Sequence, residues 1–252
     1  MSDALDSYRS VWRTKGVLRL VYDDFYNRIA RICRPGTTIE IGSGIGNLKE
    51  KIENVISTDI QFAPWLDCVM DAQSLPFAAE SADNIVMVDV LHHVEYVIAF
   101  FAEADRVLRP GGRIIMVEPA ITWGSTAFYR LLHNEPVVMS ADPLVTGAPD
   151  PKRDPYAANQ AIPTLLATRD RGRFHRQFPS LRIDHIDWFS LLAYPLTGGF
   201  KRWSLVSETA AKRLLRIERA IEPLIGRALA FRMMLVIEKN DRCMSDKPRK
   251  TD

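Results

Sequence analysis

Apolar side chains at Val17, Leu18, Val21, Phe25, Ile29 and Ile32 recur at helical spacing. An amphipathic helix is therefore expected over 17–33, ended by Arg34-Pro35-Gly36. Short apolar runs and helical stretches then alternate. Thr37 to Ile41 reads as a strand, Asn47 to Glu53 as a short helix, and Val55 to Thr58 as a second strand ending at Asp59. Cys68 to Met70 reads as a brief third strand, and Asn84 to Val88 as a fourth, apolar enough to be buried on both faces. A helix from Val97 to Leu108, stopped by Arg109-Pro110-Gly111-Gly112, precedes a fifth strand from Arg113 to Glu118. This alternation predicts a parallel sheet with right-handed crossovers.

The pattern changes after Pro119. Residues 120–139 are expected to be helical, and 140–156, with four prolines, to be a loop. Ala161 to Phe178 is expected to be helical, and Leu181 to Trp188 a strand. Residues 192–228 form a second insertion whose main element is a helix from about Glu208 to Leu229. Ala230 to Glu238 is the last strand. The fold class expected is α/β, a Rossmann-like doubly wound sheet of seven mostly parallel strands, with helical insertions over the strand ends. The expected organisation is a single domain over 1–239. It comprises a helical cap at 1–35, a core at 36–118, an acceptor-side lid at 119–180 and a second insertion at 192–228. A charged tail at 240–252 is expected to be disordered.

Composition narrows the class. With 47% hydrophobic and 25% charged residues the chain is ordinary globular protein. A net charge of only +2 argues against a dedicated polyanion binder, and no nucleic-acid module is recognisable. Cys33, Cys68 and Cys243 are odd in number and scattered, which fits a reducing compartment and gives no metal-ligand spacing, so no metal is expected. The polar start lacks the pattern of a signal peptide, and no apolar run approaches the ~18 residues of a membrane span. The expected location is the cytoplasm.

Candidate chemistry centres on Glu40-Ile41-Gly42-Ser43-Gly44-Ile45-Gly46-Asn47. Glycines at alternate positions between a strand and a helix let a ligand lie against bare backbone, where open α/β sheets bind ligands. Asp59, at the end of the second strand, can accept from two ribose hydroxyls. A dinucleotide fingerprint would require glycine where Asn47 stands.

Four further stretches follow in order: Asp71-Ala72 with Leu75-Pro76-Phe77, Ser81-Ala82-Asp83-Asn84-Ile85-Val86, Val90-Leu91-His92-His93-Val94, and Leu108-Arg109-Pro110-Gly111-Gly112. With the glycine loop they make residues 36–118 resemble the class I S-adenosylmethionine-dependent methyltransferases, in their UbiE-like, small-molecule branch. The resemblance implies S-adenosyl-L-methionine as cofactor. Glu40, Gly42, Ser43, Gly44 and Gly46 would shape the methionine end. Asp59 would hold the ribose and Ile60 would pack near the adenine. Asp71 would accept from the adenine amine beside the Ala72 amide, and Asp89 and Val90 would line the methionine side.

Methyl transfer needs alignment above all, and a base only where the acceptor carries a proton. His92 and His93 fall where acceptor and methyl would meet, and are the candidate catalytic residues. A structural role for the pair is the alternative. His133, His175 and His185 show no partner in the sequence. Trp123, Phe128, Tyr129, Tyr156, Trp188, Phe189 and Tyr194 could line an apolar acceptor pocket or simply pack in the core. The expected acceptor is a small or lipid-linked molecule, with O-methylation as the default. On the helix 208–229, Lys212, Arg213, Arg216 and Arg219 fall near one face and Leu214, Ile217, Ile221, Leu224, Ile225 and Ala228 on the other. That arrangement permits peripheral membrane contact or a solvated face over a packed one. The competing functions are an NAD(P)-dependent oxidoreductase and a non-catalytic adenosylmethionine-binding module.

Overall fold

The computed structural model describes residues 3–131 and 135–241. His133, Cys243 and the tail from 242 onward lie outside the described residues. In chain order the elements are α1 (Asp3–Thr14), α2 (Gly16–Ile32), β1 (Thr38–Ile41), β2 (Val55–Asp59), β3 (Cys68–Val69), β4 (Ala82–Val88), α3 (Val97–Val107) and β5 (Leu108–Pro119). Then come α4 (Trp123–Leu131), α5 (Ile162–Ala167), α6 (Arg171–Gln177), β6 (Leu181–Phe189), α7 (Ala193–Thr197), α8 (Glu208–Leu229) and β7 (Arg232–Lys239).

The seven strands form one sheet in the order β3-β2-β1-β4-β5-β7-β6. Pairings from β3 through β5 are parallel, and β7 runs antiparallel to both β5 and β6. The order reverses between β1 and β4, which opens a crevice beyond their carboxyl ends where open α/β sheets take ligands. Central strands are buried on both faces: Ile85, Val86 and Met87 in β4, and Ile114 to Val117 in β5, have essentially no exposure. One face packs on α3 and α6 through Phe100, Phe101 and Phe174. The other packs on α2 and the second insertion through Phe25, Ile29 and Phe189.

Several local expectations are corrected. Asn47–Glu50 is a single 3-10 turn, shorter than the helix expected. The Pro-Gly-Gly turn is absorbed into β5, with a register shift between Ala82 and Asn84 on its partner strand. Of the helix expected at 120–139, Trp123–Leu131 is helical and 135–139 is not. The one expected at 161–178 is two short helices, broken where the Asp170 amide donates to the Leu165 carbonyl. The chain before residue 17 also holds a helix, α1, whose Leu5 and Trp12 are buried. Lys15, between α1 and α2, donates through Nζ to the carbonyls of Gly199, Lys201 and Trp203 at 2.7–2.9 Å, pinning the second insertion to the amino-terminal cap.

The basic helix α8 has the expected bounds, but its faces are not divided as expected. Two of its three acidic side chains, Glu218 and Glu222, turn inward, while Glu208 is exposed. Glu218 accepts from the amides of Leu191, Leu192 and Ala193, and Glu222 from the Ser190 amide and Arg28. Leu224 and Ile217, expected against the domain, face out at 84% and 57% exposure. A carboxylate that satisfies three orphan amides at the start of α7 gains more from burial than another leucine would. Arg219, expected to be solvated, is ion-paired to buried Asp24.

Candidate functional site

A chamber of about 1080 Å³ opens above the carboxyl ends of β1, β2 and β4. That volume is at the upper end of ordinary ligand pockets, about 300–1,000 Å³, so it has room for two molecules side by side. Its floor is the glycine loop. Gly42 has φ +65°, and a Cβ there would stand 2.3 Å from a Val90 methyl, so only glycine fits. Gly44 has φ +53°, and a Cβ there would meet nothing nearer than Leu5 at 4.0 Å. Bare backbone thus faces open space. Gly46, with φ +73°, begins the 3-10 turn behind the loop against Trp65 and is not among the lining residues.

Glu40, Ser43, Asp59, Ile60, Asp71, Ala72, Asp89, Val90, His92 and His93 all line this one chamber. Asp59 is buried, and each of its oxygens accepts one backbone amide: Oδ2 from Gly44 at 3.0 Å and Oδ1 from Gln61 at 2.9 Å. A carboxylate has about four lone-pair sites, so two remain for a ligand diol. Burial raises the Asp59 pKa against these amide bonds. Asp71 Oδ1 accepts from the Gln73 amide at 2.8 Å. Burial pushes Glu40 up to about 7, opposed by hydrogen bonds from Ser43 and Ser57. Adenosylmethionine fits this donor and acceptor set: a diol partner at Asp59, an amine partner at Asp71, carboxylate depth at Glu40 and backbone open at Gly44.

The far end is polar in a different way. His92 is buried, with Nδ1 2.6 Å from Glu118 Oε2 and Nε2 3.4 Å from Glu135 Oε2. Glu118 Oε1 in turn accepts from the Val90 and Leu91 amides at 3.0 and 2.7 Å. Burial alone would lower the His92 pKa, but the two carboxylates outweigh it and raise it to about 9. His93, its ring 4.2 Å from that of His92, is lowered by burial and by its neighbour, and its Nδ1 has no partner. Arg153 reaches over from the Pro-rich loop to the His93 carbonyl at 2.6 Å.

The walls between are aromatic. Phe128, Tyr129, Tyr156 and Tyr194 line the chamber, as the sequence suggested. Trp123 does not, being 86% exposed, and Trp188 and Phe189 pack in the core. Sequence reasoning missed Tyr8, Tyr22, Tyr26, Phe200, Trp203, Glu135 and Arg232 along the chamber, and Glu118 behind His92. The four-residue spacing of Tyr22 and Tyr26 put both on one helix face, and Arg232 breaks an otherwise apolar strand, so a signal existed for each. Arg232 is buried, stacks over Tyr194 at 4.0 Å and is ion-paired to Asp89. His175 is structural, accepting from the Ile183 amide, and His185 pairs with Asp187 on the outermost strand, far from chamber chemistry. Among the described residues Cys33 and Cys68 are free thiols.

Residues 39–116 match a family model described as a methyltransferase domain. Phthiotriol/phenolphthiotriol dimycocerosates methyltransferase 1 of Mycobacterium ulcerans (strain Agy99) is 43% identical over 56 residues, which is 22% of this chain and 21% of that protein. The match thus spans about a fifth of the curated relative. A SAM-dependent methyltransferase from Thermotoga maritima superposes with a TM-score of 0.55 at 16% identity, covering 92% of this chain and 96% of the other. One from Archaeoglobus fulgidus gives 0.49 at 16% identity, covering 88% and 94%.

Proposed function

We propose that this chain, which carries a class I S-adenosylmethionine-dependent methyltransferase domain, transfers a methyl group to a hydroxyl of a small or lipid-linked acceptor. The observation that carries the reading is the joining of two differently built ends in one chamber: the glycine loop with Asp59 and Asp71 at one, and His92, His93 and Glu135 at the other, with Glu118 behind His92. Bound adenosylmethionine supplies a methyl already activated on a sulfonium, so the protein's work is alignment and exclusion of water. Asp59 and Asp71 hold the nucleoside, and Ile60 offers it an apolar face. Glu40 and the loop amides take the amino-acid end, with Asp89 and Val90 beside it.

Residues 119–180 and 192–228 cover the acceptor side. Tyr129, Tyr194 and Phe200 give an apolar passage, and His93, whose Nδ1 has no partner, meets the acceptor oxygen at its end, where its proton must be removed, with the His92 ring packed beside it. Calorimetry should show adenosylhomocysteine binding and no NAD binding, and labelled methyl groups should pass to a hydroxyl compound of a cell extract. Binding without transfer to any extract component would leave the non-catalytic binding module as the better reading.

The outer face of α8 supports a lipid-linked acceptor. Lys212, Arg213, Arg216 and Arg227 are exposed there with Leu224 and Ile217, while Glu218 and Glu222 point inward. Trp123, on α4 packed against α8, adds an exposed ring. Among the described residues no helix is long and apolar enough to cross a membrane, so contact would be peripheral. Each basic residue near an anionic surface contributes about 1 kcal/mol. The protein should co-sediment with phosphatidylserine vesicles at low salt, release at high salt, and bind less well as Leu224→Asp. Absence of binding at low salt would make the face an ordinary solvated one.

A further inference from the structure

We propose that His92, His93 and Glu135 form a binding site for one divalent transition-metal ion at the acceptor end of the chamber. The proposal rests on the reading of that end as the acceptor site and gives it a second ligand. One ligand atom from each of the three residues lies within 4.8 Å of the others. The separation of His92 Nε2 from Glu135 Oε2 is 3.4 Å. Two atoms bonded at about 2.1 Å to one tetrahedral ion stand about 3.4 Å apart. The third ligand, His93, is half-buried beside the His92 ring.

The surroundings are those of a supported ligand set. A metal-bound histidine usually gives its other ring N–H to a carboxylate, which fixes the tautomer and the ring plane. His92 does so, with Nδ1 on Glu118, and Glu118 is itself anchored by two backbone amides. Glu135 is likewise held, accepting from the buried side chain of Gln160. Two imidazoles and one carboxylate leave at least one coordination position open toward the chamber, as in catalytic rather than structural sites. The nitrogen ligands select zinc, cobalt or iron over magnesium, which prefers an all-oxygen shell. An acceptor hydroxyl at the open position would be held at a fixed place.

Spacing in the chain could not show this. His92 and Glu135 are separated in the chain by α3, β5 and α4. The expectation of no metal was drawn from cysteine and histidine spacing alone.

The test uses the full chain, stripped with chelator and titrated with zinc(II), with cobalt(II) as a spectroscopic probe. About one ion should bind per chain, and cobalt should give a visible d–d spectrum of low coordination number. His93→Ala and Glu135→Gln should each weaken zinc binding at least about tenfold. Glu118→Gln, which meets the His92 ring and not the ion, should weaken it about 10–100-fold. Magnesium should not compete. Failure of zinc and cobalt to bind stoichiometrically, or binding indifferent to both His93→Ala and Glu135→Gln, would overturn the proposal. Adenosylhomocysteine affinity, measured on the same samples, separates the two readings. Cofactor binding without metal binding removes the ion alone, whereas loss of cofactor binding in the wild type removes the methyltransferase reading.

Discussion

Replacing His93 by asparagine is expected to lower methyl-transfer turnover by about 10²–10⁴, the usual contribution of a group that handles a proton in the transition state, while leaving adenosylhomocysteine affinity nearly unchanged. The cofactor groups Asp59 and Asp71 belong to β2 and the turn after β3, whereas His93 follows β4 and makes its ring contact with His92. His92→Asn should also lose turnover, through the ring that packs on His93, and with a second effect. It leaves the fully buried Glu118 without its ion-pair partner, and breaking such a pair costs on the order of 3–5 kcal/mol. The amides of Val90 and Leu91 still donate to Glu118 and soften that cost. His92→Asn should therefore lower the melting temperature clearly and His93→Asn only slightly. Single-turnover rates, calorimetry and thermal denaturation on the two variants check these expectations together. Near-normal turnover in both would remove the pair from the chemistry. A loss of stability in His92→Asn with turnover preserved would make that residue a structural partner of Glu118 and nothing more.

The sheet was legible because its signal is local. Apolar runs such as Ile85 to Met87 and Ile114 to Val117 can only be central strands, and the glycine loop needs its glycines for reasons visible in one turn of backbone. The cofactor half of the site was legible for the same reason: Asp59 and Asp71 stand at strand ends whose order follows from alternation. What the sequence hid depends on distant partners. Within the expected cap at 1–35 the bounds of α1 hide, because Leu5 and Trp12 are a thin apolar stripe in a polar segment and Trp12 is covered only by packing on Tyr22. Glu218 and Glu222 look like a solvated charge pair; instead Glu218 accepts the amides at the start of α7, and Glu222 accepts the Ser190 amide after β6. Glu118 reads as the end of a strand, and its meaning appears only when His92 is brought against it. The acceptor end is assembled from β4, β5 and the segment after α4. No local periodicity encodes that convergence.

Asp59→Ala is expected to weaken adenosylmethionine and adenosylhomocysteine binding by about 2–6 kcal/mol, on the order of 30-fold to 10⁴-fold, through loss of two charge-assisted hydrogen bonds to the ribose at about 1–3 kcal/mol each. The geometry supports the upper part of that range. Both Asp59 oxygens already accept a backbone amide, from Gly44 and from Gln61. Alanine thus strips the ribose partner and also leaves two loop amides without acceptors. One of these belongs to the glycine whose open side faces the ligand. The loop should loosen as well as lose its contacts, so part of the effect should appear as weaker protection of the Gly44 amide in hydrogen exchange. Asp59→Asn separates the two contributions. Its carbonyl oxygen can still accept from one amide, but its NH₂ cannot accept from the other amide or from a hydroxyl. It should fall between wild type and alanine in affinity. Calorimetry with adenosylhomocysteine, accompanied by melting temperatures to confirm folding, measures the series. Wild-type affinity in Asp59→Ala would mean that the ribose lies elsewhere in the chamber. Tight NAD binding with none for adenosylhomocysteine would transfer the whole site to the oxidoreductase reading, even though Asn47 stands where a dinucleotide loop needs glycine.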